Sequence, residues 1–334
     1  MAYIRRALAK RFSTLASRSG AALGMALALA ASCADAQSAY PAKPVRIVVP
    51  APAGGPTDVA GRLLAQKLTE MWGQTAFIEN RAGADGEIGT AAVAQAAPDG
   101  YTLLMLVDST VTMLPFAKKK LSYGPAALTP ITTIDEAALL LVSSTKFGAR
   151  NFAEAVSLAK AQPGKVNMGI GTFTSRLVAA RIQSLSGTKF NQIPFKGSGE
   201  STQALLGQEL DLLLSGYSAL KANVNTGKFR ILATTGTKRF PALPDVPTFG
   251  ELGLSGFDSG LWAGLAAPAG TPAAIINKVQ VDMNKVLDMP DVKEKLIGLA
   301  LIPMPGTPAS MAELIRNDQA KWKKTIEEAG LSLD

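Results

Sequence analysis

Short apolar runs alternate with helical stretches along nearly the whole chain, and this alternation narrows the fold more than any single motif. The runs are VRIVV (45–49), TAFIE (75–79), YTLLMLV (101–107), ALLLVSS (138–144), KVNMGI (165–170), FNQIPF (190–195), LDLLL (210–214), FRILATT (229–235) and LWAGLAAP (261–268). Strands this continuously apolar need a covering layer on each face. Helices with readable ends lie between them. NFAEAVSLAKAQPG (151–164) opens on Asn151 as N-cap with Glu154 three residues on and stops at Pro163-Gly164, and two helices near the C-terminus each open with Thr-Pro. The pattern predicts an α/β fold of mostly parallel sheets flanked by helices. Nine strands are too many for one tidy sheet at this length, so two lobes are expected, 37–141 plus 262–334 and 142–261. The chain would cross near Leu141 and return near Trp262 through two hinge strands, leaving a ligand cleft between the lobes and packing the C-terminal helices on the first.

The first 36 residues read as a secretory leader. Arg5, Arg6, Lys10, Arg11 and Arg18 precede the apolar run GAALGMALALAAS, and Ala34-Asp35-Ala36 supplies the small-x-small cleavage pattern. The run is too short for a permanent membrane span. Processing at Cys33 as a lipoprotein fits less well, because Ala30 stands where a larger aliphatic residue is expected. Cleavage after Ala36 lowers the formal net charge from +8 to +4 and leaves no dense basic run, so nucleic acid is not an expected partner and KKK (118–120) reads as a loop edge.

Two absences restrict the chemistry further. The chain has no histidine, and its one cysteine, Cys33, lies in the leader. A Ser-His dyad, a cysteine nucleophile, an N/S zinc site and a disulfide are therefore excluded from the exported chain, and no metal or cofactor is expected. An enzyme would be left with carboxylate, lysine or tyrosine chemistry.

In open α/β sheets ligands bind beyond the carboxyl ends of the strands. The segments there are APAGGPTD (51–58), NRAGADGEIGT (80–90), DSTVT (108–112), GTFTSR (171–176), KGSGEST (196–202) and SGYS (215–218), rich in small and hydroxyl residues. The first is no Walker loop, because Pro56, Thr57 and Asp58 follow Gly54 and Gly55, and its helix is expected to open on Thr57 or Asp58 as N-cap. Most of these loops meet a helix start, where backbone N–H groups suit a carboxylate or phosphate.

The blocks YPAKPVRIVVPAPAGGPTDVAGRLLAQKL, ENRAGADGEIGTAAVAQAAPDGYTLLM, PFKGSGESTQALLGQELDLLL and KRFPALPDVPTFGELGLSGF followed by APAGTP run in order over essentially the whole exported chain. In them the chain resembles the extracytoplasmic solute receptors of tripartite tricarboxylate transporters, the Bug family. The resemblance implies a two-lobed, monomeric periplasmic binding protein that closes on a small organic acid and hands it to a two-component membrane permease. It places ligand contacts at Ala53, Gly54, Gly55, Thr57 and Asp58, at Gly83, Ala84, Gly86 and Ile88, and in the second lobe at Gly171, Thr172, Ser175, Lys196, Gly197 and Ser198. The chain departs from the family pattern at Asp85, Glu87, Arg176, Ser215 and Gly216, while Asp108 and Ser109 open the third loop.

Asp85 and Glu87 have two readings at this level: they cap a helix or meet solvent, or they face the cleft and favour an amino-bearing or neutral ligand over a dicarboxylate unless Arg176 or Lys196 balances them. Two other functions stay open as well. One is an exported hydrolase pairing Asp58 with Glu87 or Asp85; the other is a binding protein that feeds a membrane sensor.

Overall fold

The computed structural model describes residues 40–195, 197–224, 226–236, 238–254, 257 and 261–333. The leader expected over residues 1–36, with its expected cleavage position, lies outside the described residues, as does Lys196.

Among the described residues there are eleven strands, β1 (Val45–Val49), β2 (Ala76–Asn80), β3 (Thr102–Val107), β4 (Leu128–Ala137), β5 (Leu139–Ser144), β6 (Val166–Ile170), β7 (Phe190–Pro194), β8 (Leu212–Gly216), β9 (Phe229–Thr234), β10 (Leu261–Pro268) and β11 (Leu301–Pro303). They form a six-stranded sheet in the order β11-β4-β10-β3-β1-β2 and a five-stranded sheet in the order β7-β6-β8-β5-β9. The helices are α1 (Pro56–Trp72), α2 (Glu87–Ala94), α3 (Asp108–Thr112), α4 (Leu114–Ala117), α5 (Phe152–Ala161), α6 (Phe173–Ser186), α7 (Ser198–Leu206), α8 (Tyr217–Leu220), α9 (Ala273–Asp288), α10 (Pro290–Gly298) and α11 (Pro308–Ala329).

The burial of β5 shows why its sequence is uninterruptedly apolar. Leu139 and Leu141 join Phe152 and Leu177 in one core, while Leu140 and Val142 pack with Leu205 and Phe240 on the other face. The first sheet has an equivalent core of Val48, Leu104 and Leu106 against Val93, Trp262 and Met311.

The sheets are mixed, not mostly parallel. Among the described residues four strand pairings are parallel and five antiparallel. Parallel pairs arise where a helix returns the chain to the same edge, as from β1 through α1 to β2; four of the antiparallel pairs arise at β5 and β10, the strands on which the chain enters a sheet from the other half, and the fifth joins β11 to β4. The change of sheet falls at Ala138, between β4 and β5, so that Leu139 to Leu141 lie in the second sheet. The continuous apolar run gives no sign of this break.

Besides the crossing strands, α11 connects the halves. It packs on β4 and on α6, placing Met311 in the core of the first sheet and Trp322 and Ile326 in that of the second. Its start is sharply defined: the Thr307 hydroxyl accepts from the Ser310 N–H, the Ser310 side chain caps in return, and Pro308 occupies the first turn.

Candidate functional site

A cavity of about 190 Å³ lies where loops of the two halves meet. The first sheet contributes Thr57, Asp108, Asp135 and Trp262; the second contributes Thr174, Tyr217 and Ser218. Its size suits a small solute and not a drug-sized one. A larger groove of about 1070 Å³ runs between α6 and α11, but it is lined by surface side chains such as Lys189, Lys324 and Glu328 and by none of the strand-end loops.

Two of the cavity's walls are the starts of long helices. Gly55 is the N-cap of α1, with Pro56 in its first turn, so the helix opens earlier than the Thr57 or Asp58 expected from sequence. Pro56 has no N–H to waste at a position where it would be unpaired, which favours this start. Asp58 is buried and turns back: its Oδ2 accepts from the Gly54 N–H at 2.8 Å and from Arg62 Nε at 3.1 Å, and its Oδ1 accepts from Asn80 Nδ2 at 2.9 Å. Burial pushes this carboxyl up, but the bonds from Arg62, Gly54 and Asn80 outweigh it and hold Asp58 below the usual carboxylate range. Asp58 thus fixes the loop that carries Ala53, Gly54 and Gly55.

On the other side, Thr172 caps α6. Its side chain accepts from the Ser175 N–H, and the Ser175 hydroxyl accepts from the Thr172 N–H, so both side chains are occupied by the capping box. The cavity-lining residue of this turn is Thr174, which sequence reasoning passed over. Gly171 approaches the next loop so closely that a Cβ there would stand 2.9 Å from the Gly197 carbonyl carbon and 3.0 Å from the Ser198 nitrogen. Gly171→Ala is therefore expected to force these two loops apart, lowering stability by about 1–3 kcal/mol and weakening ligand binding, whereas Gly199→Ala, which meets nothing within 4 Å, should leave the melting temperature almost unchanged. Thermal melts and titration calorimetry on the two variants check this.

The loop from Gly83 to Gly86 runs entirely at positive φ, with values of 129° at Gly83, 48° at Ala84, 55° at Asp85 and 94° at Gly86. Two non-glycine residues in the left-handed region are a local strain of the kind found near ligand sites. Asp85 and Ile88 are exposed. Glu87 starts α2 and is taken up within its own half: Lys118 Nζ donates to it at 2.6 Å, and the N–H and hydroxyl of Ser122 donate at 2.9 Å and 2.7 Å. Lys118, with burial opposing and Ser122 assisting, holds this carboxyl below the ordinary glutamate range. KKK (118–120) therefore supplies a specific partner as well as a loop edge.

In the second half, Arg176 is exposed and Ser198 begins α7. Ser215 is buried, and its hydroxyl has no hydrogen-bond partner among the described residues.

Two buried acids line the cavity. Asp108 follows the last residue of β3, and Asp135 lies near the end of β4; these strands flank β10, where Ala263 pairs with Val107 on one side and Asp135 on the other. β4 bulges immediately before Asp135, since Gly264 pairs with Thr133 and Ile134 is skipped. Burial and the nearby negative charge of Asp318 push Asp108 up to about 7, against the Ser109 and Trp262 N–H groups and Lys321. Burial alone pushes Asp135 up to about 7. Ser109, also buried, donates its N–H to the Asp108 carboxylate. Trp262 is a core residue whose indole N–H donates to Asp318 at 2.8 Å.

Two mixed sheets exchanging strands, with a small cavity at the strand ends between them, define the solute-binding fold of periplasmic receptors. The chain belongs to the TctC family, the tripartite tricarboxylate transporter family receptors, whose family model matches residues 60–331. Protein BugT of Bordetella pertussis is 32% identical over 94% of this chain and 98% of its own length. Among solved structures, Rpa4515 of R. palustris with adipate is 29% identical with a TM-score of 0.79, covering 88% of this chain and 99% of that one. MatC of Rhodopseudomonas palustris with bound malate is 31% identical with a TM-score of 0.74, covering 86% and 100%.

Proposed function

We propose that this chain is the extracytoplasmic receptor of a tripartite-type uptake system, capturing a small carboxylate-bearing solute in the cavity between its halves and delivering it to a two-component membrane permease. The observation that carries the reading is the cavity itself: the starts of α1 and α6, at Thr57 and Thr174, approach it from opposite halves, so a carboxylate held between them meets backbone N–H groups from both. Contacts from both halves favour a closed state, because only there does one ligand collect them all. The adipate- and malate-bound relatives support a carboxylate as the common element of the cargo.

Delivery is by a monomer, processed after Ala36 in the periplasm, with two lobes whose first crossing falls at Ala138. The ligand contacts assigned by resemblance, including Lys196, belong to this proposal. Catalysis is not part of it: of the acids the sequence offers to a hydrolase, Asp58 and Glu87 are each held by a cation and by backbone or side-chain donors, and Asp85 is exposed.

A thermal-shift screen against mono- and dicarboxylates, amino acids and neutral analogues tests the proposal. A ligand at a hundred times its Kd should stabilise the protein by about 2.7 kcal/mol. Recovery of the bound compound unchanged supports a receptor, while its conversion supports the hydrolase. Failure of every carboxylate-bearing compound to shift the melting temperature would sink the receptor reading. Co-purification with a sensor in place of a permease would redirect the delivery step.

A further inference from the structure

The residues that follow the bulge in β4 divide between two hollows. Asp135 and Ala137 line the cavity between the halves, whereas Glu136, between them in sequence, lines a separate pocket of about 210 Å³ with Lys238 and Phe240. Successive side chains along a strand point to opposite faces, so Asp135 faces the cavity and Glu136 faces away from it.

Asp135 is 3% exposed, and its Oδ2 has no hydrogen-bond partner among the described residues. Among the described residues that line the cavity there is no lysine or arginine. A buried carboxylate in that setting has neither water nor a counter-charge, and its least costly remedy is a proton. Once it carries one, the group loses its charge and gains an O–H donor. The starts of α1 and α6 offer N–H groups to a carboxylate, but a cargo that fills a cavity of about 190 Å³ also meets the β4 wall. An ionised Asp135 would repel it there.

Resting on the receptor reading above, we infer that Asp135 is a cargo-binding residue in its acid form: the receptor takes up one proton from water with each carboxylate cargo, and the Asp135 O–H donates to a cargo carboxylate oxygen. Two carboxyl groups that share one proton make a short, charge-assisted hydrogen bond, stronger than a neutral acceptor on the cargo would give. This wall of the cavity therefore selects for an anionic acceptor, and the selection strengthens as the pH falls. Burial has already pushed Asp135 up to about 7 in the ligand-free fold, so the proton is within reach near neutrality.

The groups around Asp135 leave it free to play this part. Ala263 on β10 and Pro303 on β11 flank it and carry no charge. Asp108 lines the same cavity from the end of β3, Asp318 and Lys321 on α11 act on Asp108, and Tyr217 lines the cavity from α8. The acids that the sequence brought forward, Asp85 and Glu87, do not line it: Glu87 is held by Lys118, and Asp85 is exposed.

The test is titration calorimetry on the exported protein with succinate, L-malate, adipate and benzoate as probes, at pH 6 and pH 8, each in two buffers of different ionisation heat. A probe that binds is expected to take up close to one proton at pH 8 and almost none at pH 6, and to bind about tenfold more weakly at pH 8 than at pH 6. Asp135→Asn keeps a donor, its amide N–H, but does not titrate. It is expected to bind the same probe with little dependence on pH, to take up almost no proton, and to bind more tightly than the parent at pH 8. Asp108→Asn is expected to keep the uptake. Should Asp135→Asn fail to fold, Asp108→Asn decides: uptake that persists there supports the inference, and uptake lost there assigns the proton to Asp108 and overturns it. Binding without proton uptake at pH 8, or uptake that Asp135→Asn retains, also overturns the inference and leaves the receptor reading intact. Binding of no probe at either pH removes both.

Discussion

Asp135→Asn is expected to make the ligand-free protein more stable at neutral pH, by about 3–4 kcal/mol, and to leave its stability near pH 4 almost unchanged. The reason is the difference between the folded and unfolded carboxyl. In the unfolded chain Asp135 titrates near 3.8, whereas burial pushes it up to about 7 in the fold. Below pH 4 both states hold the proton, and the acid is no burden. As the pH rises from 4 to 7 the unfolded chain releases its proton while the folded chain keeps it, so stability is lost over this window and the loss is complete above the folded pKa. An asparagine fits the same space and does not titrate, so the gap between variant and parent opens with pH. Urea or thermal melts at pH 4, 6 and 8 measure it, and a gap that stays constant across that range would show that Asp135 is paired in solution. Asp108→Asn should follow the same course with a smaller gap, because the Ser109 and Trp262 N–H groups lose their charged acceptor.

Stability spent on an unpaired acid also explains how legible the molecule was. All nine strands expected from apolar runs are present, because a strand covered on both faces must be apolar throughout, as β5 is. The two that escaped notice, β4 and β11, do not satisfy that condition. β4 reads LTPITTIDEA, with Pro130, three threonines and two acids, and nothing in it marks a strand; yet it lies between β10 and β11 in the first sheet and presents Asp135 to the cavity. Fold was legible because burial writes a repeated pattern, and the site was less so because its residues break that pattern. Thr174 shows the same limit at closer range. Thr172 and Ser175 carry a visible cap signature and are used up by it, while the residue that lines the cavity between them has no signature of its own. The three loops on the first half, by contrast, follow β1, β2 and β3 as expected, since glycine and N-cap residues record backbone conformation directly.

Asp58→Ala is expected to lower stability by about 2–4 kcal/mol and ligand affinity about tenfold or more, because its carboxylate holds its own loop in place. Its carboxylate holds three partners at once. Without it the Gly54 N–H loses a bond of 2.8 Å, Arg62 loses its ion pair at 2.9 Å, and Asn80 Nδ2 loses one of the two acceptors it bridges, the other being the Ala51 carbonyl at 3.2 Å. Those bonds tie the loop from Ala51 to Gly55 to the end of β2. Arg62→Ala should cost much less, because the Arg62 side chain is half exposed and the carboxylate keeps its other two donors. Asp58→Asn separates charge from shape, retaining an acceptor for Gly54 but losing the pair with Arg62, and should fall between the two. The pH dependence runs opposite to that of Asp135: Asp58 is held below its ordinary value, so its contribution is present above about pH 4 and is lost as the pH falls through the folded pKa. Melts and calorimetry on the three variants would show whether stability and affinity fall in parallel. A parallel fall means that the ligand is gripped by a backbone that Asp58 holds in place; a loss of affinity at unchanged stability would mean that the carboxylate touches the ligand itself.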